Sequence, residues 1–319
     1  MIVVCGEALF DVFATQERSA AIELSACQGG SPFNLATGVA RLGGRASFFG
    51  GLSRDMFGRK LYAALEAEGV DLAAAPRPDA PTALVMVSVD DCGVPVYTFY
   101  GSGTAERAVS LADLERVPTD AQAVHVGSYC MVVEPIASSL RALVERQRGR
   151  SLIVYDPNVR LAIEPRIEVW AETLGWMMRR SDVLKVSEED IHALYPNRRA
   201  DAFIGEALDA GVALVVVTRG ERGVIAATRS LPALELAAMP VTVVDTVGAG
   251  DTFQAGLLAW LQRAGHLERR AVEGLGQNEL AAALRFAARA AAITCSRRGA
   301  DLPYTSELAG AAAFEMPQP

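Results

Sequence analysis

Cysteine is sparse and scattered in this sequence. Cys5, Cys27, Cys92, Cys130 and Cys295 are odd in number and never fall into a C-x-x-C pair. A disulfide framework, a zinc site and a dithiol redox pair are therefore not indicated, and reduced, buried thiols are expected. Positive charge is in deficit, with 30 Lys and Arg against 38 Asp and Glu and a net charge of -8. A surface with that balance repels phosphate backbones and anionic lipid, so neither nucleic acid nor a membrane surface is expected as a partner. No run of ~18 uninterrupted apolar residues occurs, as a membrane span requires. The opening MIVVCGEAL has no basic stretch ahead of a long apolar one, and a cytoplasmic location is expected. The Walker pattern G-x-x-x-x-G-K-S/T is also missing, which removes that class of nucleotide hydrolase.

The chain has 319 residues, 51% hydrophobic and 21% charged. That composition belongs to an ordinary globular protein with a large core, either two domains or one α/β unit with an appendage. Apolar runs at Ile2–Val4, Ala123–Val126, Leu152–Tyr155, Val183–Val186, Leu214–Val217 and Val241–Val244 read as buried strands. Between them Pro135–Gln147, Trp170–Arg180, Asp201–Ala210 and Thr252–Gln262 carry apolar residues at helical spacing. The alternation predicts a mainly parallel sheet with helices on both faces. Thr82–Val89 and Val94–Tyr100 flank Asp90-Asp91-Cys92-Gly93 and predict an antiparallel hairpin. With Val12–Cys27 that hairpin forms either a small sheet over a cleft or a decorated sheet edge. Gly310–Pro319 lacks periodicity and reads as a poorly ordered terminus.

The most informative segment is VTVVDTVGAGDTF, Val241 to Phe253. A β-branched run enters a Gly-Ala-Gly turn and then an amphipathic stretch. The amides of Gly248, Ala249 and Gly250 can converge on a negative oxygen at a helix's positive end, and Asp251 stands beside them with a carboxylate. An acid in a first helical turn also occurs for dipole reasons alone. The dinucleotide fingerprint would need a third glycine, which this segment lacks.

Asp245-Thr-Val-Gly-Ala-Gly-Asp251-Thr-Phe resembles the C-terminal signature of the ribokinase-like, or PfkB, carbohydrate kinases. Gly29-Gly30-Ser31-Pro32-Phe33-Asn34-Leu35-Ala36, continuing through Gly43-Gly44 to Gly50-Gly51-Leu52-Ser53-Arg54-Asp55-Met56-Phe57-Gly58, is similar to the family's N-terminal motif in its bacterial fructokinase form. The likeness runs from Gly6-Glu7 to Ala300-Asp301.

This resemblance implies a Rossmann-like core, residues 1–11, 28–81 and 106–319, and a β lid, residues 12–27 and 82–105. It also implies transfer of the γ-phosphoryl group of ATP to a sugar hydroxyl, with magnesium as cofactor. Asp251 would be the base and Gly248, Ala249 and Gly250 the anion hole. Asp11, Gly29, Gly30, Asn34, Phe99 and Arg160 would meet the sugar. Lys185, Ser187, Thr218, Gly220 and Gly223 would meet the nucleotide. Asp190 would serve magnesium, and Asp245 with the Val247 carbonyl and the 295–301 loop a potassium ion. Ser187 and Asp190 stand where the family pattern N-x-x-E has Asn and Glu. Gly101 and Ala288 depart from the F-Y-R and F-A-N runs of fructokinases. D-fructose is the expected substrate, ahead of 2-keto-3-deoxygluconate, ribose and nucleosides, and a silent sugar- or nucleotide-binding regulator is the reading from another class. Relatives imply pairing of two copies through the lid.

Overall fold

A computed structural model describes residues 1–18, 20–89 and 95–308. The Asp90–Gly93 turn and the Gly310–Pro319 tail lie outside the described residues. The strands are β1 (Ile2–Cys5), β2 (Leu9–Arg18), β3 (Ala21–Gly29), β4 (Ala46–Phe49), β5 (Leu84–Val89), β6 (Pro95–Tyr100), β7 (Ala123–Gly127), β8 (Leu152–Asp156), β9 (Val183–Ser187), β10 (Leu214–Thr218), β11 (Val224–Thr228) and β12 (Leu234–Leu236). The α-helices are α1 (Ser31–Arg41), α2 (Met56–Ala67), α3 (Ile136–Gln147), α4 (Ile167–Met178), α5 (Glu188–Leu194), α6 (Ala200–Ala210), α7 (Ala249–Arg263), α8 (Arg269–Glu273), α9 (Gln277–Cys295) and α10 (Thr305–Leu308).

The main sheet runs β12-β11-β10-β9-β8-β7-β1-β4, parallel from β10 to β4 and antiparallel at the β10-β11-β12 edge. Its strands are apolar on both faces because both faces are covered. Ile2, Val4, Val154 and Val216 point toward α1, α7 and α9, while Val3, Val124, Ile153 and Val215 point toward α3, α4 and α6. The pair α7 and α9 approaches closely because its contact residues are small. A Cβ on Gly256 would stand only 2.8 Å from Ala287 Cα. No helix of the described residues is long and apolar enough to cross a membrane.

Val241–Val244 is the exception to the expected strands. It forms no strand, and Val243 and Val244 are 60% and 62% exposed. Its backbone turns instead to the end of α9, where the Val244 and Asp245 N–H groups donate to the Cys295 carbonyl at 2.8 and 3.3 Å. β-Branched composition measures fit to a pleated, half-buried surface, and here no neighbouring strand supplies one.

The second sheet has the order β3-β2-β5-β6, with β2 and β5 parallel. Asp11, Val85 and Phe99 are register partners across β2, β5 and β6, so their side chains share one face. Phe10 and Val12 point the other way and are buried in the same apolar cluster that Phe57 of α2 packs against. Ile22, Leu24 and Tyr97 leave apolar surface exposed on this sheet.

Candidate active site

The carboxyl ends of β1, β7, β8, β9 and β10 lie side by side, and ligands in open α/β sheets bind at that edge. Asp156 ends β8, Ser187 ends β9 and Thr218 ends β10, with Ser187 and Thr218 paired in register. At the same edge, α7 begins at Gly248, whose φ of 77° is left-handed and whose missing Cβ would stand 2.6 Å from Ala300 Cβ. Only glycine takes that conformation and that closeness together.

The bend is open rather than sealed in the core. Gly248 and Ala249 are half-buried and Gly250 is exposed. The Ala249 N–H turns back to the Thr246 carbonyl at 3.2 Å. Among the described residues the Gly248 and Gly250 N–H groups have no protein acceptor and are free to meet an anion.

Asp251 follows in the first turn of α7 and is fixed from the start of α1. Ser31 Oγ donates to Asp251 Oδ1 at 2.6 Å and Asn34 Nδ2 donates to Oδ2 at 2.9 Å. Gly30 caps α1 with φ 102°, where a Cβ would press on the Glu7 carbonyl. The positive ends of α1 and α7 thus converge on one point, a place that favours a negative group.

Behind the bend lies a buried cation. Lys185 Nζ is 2.7 Å from Asp156 Oδ2, both side chains are about 5% exposed or less, and a Cβ on Gly250 would stand 3.2 Å from that nitrogen. Burial works against the Lys185 charge, but the carboxylates of Asp156, Asp190 and Asp251 outweigh it and raise its pKa. Burial pushes Asp156 up to about 6 in spite of Lys185, so the pair remains ionic at neutral pH. His125, buried in β7, is held down to about 3 by burial and by Lys185, and it stays neutral.

The expected sugar residues gather opposite. Asp11 projects from the small sheet, and burial raises its carboxyl to about 6 while the exposed Arg160 opposes that rise. Gly29 leaves room for that carboxyl, because a Cβ there would meet Asp11 Oδ2 and the carboxylate would have to shift. Phe99 lies in the same sheet row and packs edge-on against Tyr129, ring centroids 5.2 Å apart. The turn after β10 carries Gly220 and Gly223 at positive φ.

Asp190 caps α5 through Ser187 and accepts from the Val159 N–H at 2.9 Å. Both of its oxygens are engaged within the protein. Asp245 accepts from Val247 N–H at 3.0 Å and Gly299 N–H at 2.8 Å, which ties the α7 entry to the loop after α9.

Several residues of the site were not singled out in the sequence. Ser31 stands inside the N-terminal motif and Glu7 at the start of the likeness, with nothing in the neighbouring sequence to mark either as part of the site. Glu7 is 2% exposed, its Oε2 has no partner, and burial raises its pKa to about 7, with the Asp251 charge adding to the rise. Glu106 and Tyr129 carried no local signal at all.

An acid held between two helix ends, facing a cation-backed glycine turn, is an arrangement for moving a phosphoryl group. The comparisons with known proteins agree. The model of the pfkB family carbohydrate kinases matches residues 1–307. A fructokinase of Rhizobium leguminosarum bv. trifolii is 34% identical over 88% of this chain and 85% of its own. Among solved structures, a fructokinase with bound ATP from Xylella fastidiosa superposes with a TM-score of 0.86 at 30% identity, covering 96% of both chains. A fructokinase double mutant from Vibrio cholerae O395, bound to fructose, ADP and potassium ion, gives 0.79 at 28% identity over 94% of this chain and 93% of that one. The chain belongs to the pfkB family of carbohydrate kinases.

Proposed function

We propose that this kinase transfers the γ-phosphoryl group of ATP to the primary 6-hydroxyl of D-fructose, giving fructose 6-phosphate and ADP. One observation carries the reading: the Asp251 carboxylate is held by Ser31 and Asn34 within the same helix turn as the unpartnered Gly248 and Gly250 amides. Asp251 takes the proton of the attacking hydroxyl as the bond to phosphorus forms. The two amides, with Lys185 behind them, stabilise the charge on the phosphoryl oxygens, and the β–γ bridging oxygen leaves with ADP. Such a transfer is mostly positioning and charge stabilisation.

Asp11, Asn34 and Arg160 supply the polar partners of the sugar hydroxyls, Gly29 and Gly30 leave room for it, and Phe99 covers it. Ser187 and Thr218 at the strand ends, with Gly220 and Gly223 in the following turn, receive the nucleotide. The small sheet, residues 12–27 and 82–105 in its main part, acts as the lid of the core.

Among the described residues no cluster of His, Cys, Asp and Glu forms a ready-made metal cage. A magnesium ion carried in on the ATP phosphates fits that donor set, since Mg²⁺ keeps several waters and few protein ligands. Asp190, with both oxygens engaged, would act on it from a distance. Asp245 and the Val247 carbonyl, on a turn tied to the 295–301 loop, fit a monovalent cation that stiffens the anion hole. The fructokinase structure with potassium ion supports that site. The exposed Ile22, Leu24 and Tyr97 support pairing of two copies through the lid. A cytoplasmic location fits an ATP-dependent enzyme.

The test is ATP turnover on D-fructose, ribose, 2-keto-3-deoxygluconate and adenosine. Fructose should give the highest kcat/KM. Sugar binding without turnover on any of them would make the protein a regulator instead.

A further inference from the structure

Where the chain leaves β6 and returns to the main sheet, a set of buried groups surrounds Phe99. The Gly101 carbonyl accepts from Thr104 Oγ1 at 2.7 Å, and the same hydroxyl lies 2.6 Å from Glu106 Oε1. Tyr129 OH donates to that oxygen at 3.4 Å. A hydroxyl has one proton to give, so both short contacts of Thr104 are hydrogen bonds only when Glu106 carries a proton of its own. Burial raises the Glu106 pKa, and its Oε2 is buried without a partner. The chain then reads Glu106 to Thr104 to the Gly101 carbonyl, with Tyr129 joined to it.

Tyr129 meets the Phe99 ring edge-on, and the Arg107 guanidinium lies 5.5 Å from the ring centroid. The remaining side of the ring is closed by residue 101 itself. A Cβ there would collide with Phe99 Cε1 and Cζ. The phenylalanine therefore rests on a bare backbone, and glycine is the only residue that offers one. In this chain a side chain at position 101 would have to shift the ring from this seat. Phe99 in turn shares a sheet face with Asp11.

We propose that Gly101 and Glu106, neither of which meets the substrate, are positioning residues that seat the Phe99 ring as the wall of the sugar site and so set which sugars the kinase accepts. The proposal rests on the fructose-kinase reading, which supplies Phe99 with its substrate.

A double-mutant cycle tests it, with Gly101→Ala, Phe99→Ala and the pair compared with the parent protein. Gly101→Ala alone should raise the fructose KM roughly tenfold, leave the ATP KM within twofold, and change the ranking of fructose against ribose. In the Phe99→Ala background the same substitution should change nothing further, because the ring it displaces is gone. Glu106→Ala and Tyr129→Phe should raise the fructose KM in the same way, and Glu106→Gln, which keeps an uncharged acceptor and donor, should recover it. Additive effects in the cycle, or equal rises in the sugar and ATP KM, would overturn the proposal. The sugar-induced rise in unfolding temperature is read on the same proteins. If the parent does not phosphorylate fructose, the functional reading fails, and that second readout still decides whether Gly101 and Phe99 act together.

Discussion

Replacing Glu7 by glutamine should make the protein more stable at alkaline pH and leave it little changed in acid. The carboxyl lies at the carboxyl end of β1, 2% exposed, and burial raises its pKa from the usual 4.5 to about 7. In the unfolded chain the same group titrates near its ordinary value. Between the two values the folded protein binds the extra proton, so stability falls as pH rises through that window and stays lower above it. A shift of that size corresponds to about 3 kcal/mol at pH 8 as an upper bound. At roughly 2–4 °C per kcal/mol for large domains, the variant should gain several degrees in Tm over the parent at pH 8. Below pH 4.5 the gain should vanish, since both side chains are then neutral and of equal size. Asp11, Asp156 and Glu106 also titrate upward. They remain in both proteins, and the difference in Tm isolates Glu7. Thermal unfolding at half-unit steps from pH 4 to 8 is the assay. A difference that does not change with pH, or one that favours the parent at pH 8, would refute the reasoning.

Further expectations concern the cleft itself. Asp11, raised to about 6, accepts from sugar hydroxyls most strongly when ionised, so fructose kcat/KM should fall as pH drops below 6, and an Asp11→Asn variant should lack that limb. Lys185→Met should destabilise the fold by roughly 3–5 kcal/mol, as it leaves Asp156 buried without its cation. Chemical denaturation should show part of that loss restored by adding Asp156→Asn. Asp245→Ala should free the 295–301 loop from the entry to α7, and a turnover assay in potassium against choline salts should show that the variant no longer distinguishes them.

The readable parts of the molecule were those whose chemistry is contiguous. The glycine turn and the acid beside it are adjacent in the chain, and periodicity marks α3, α4, α6 and α7 to within a few residues but not α2 or the alanine-rich α9. Val241–Val244 misled because its β-branched composition matches a strand, while its hydrogen bonds go to the end of α9. The short strand Ala46–Phe49 and the antiparallel edge, Val224–Thr228 with Leu234–Leu236, escaped notice because brief runs between turns have no length to mark them. Pairings across the chain were out of reach altogether. Ser31 meets Asp251 over 220 positions, and Tyr129 meets Glu106 from another strand end. No local pattern encodes such contacts, which arise only when the sheet brings its carboxyl ends together.

The account rests on Asp251 as the base beside the glycine turn. Single turnover of ATP with fructose on Asp251→Asn, alongside binding of both ligands, tests this most directly. The chemical step should slow by at least ~10²-fold, the usual scale for a general base, while fructose and ATP bind within a fewfold of the parent. Turnover at the parent's rate in that variant would contradict the account.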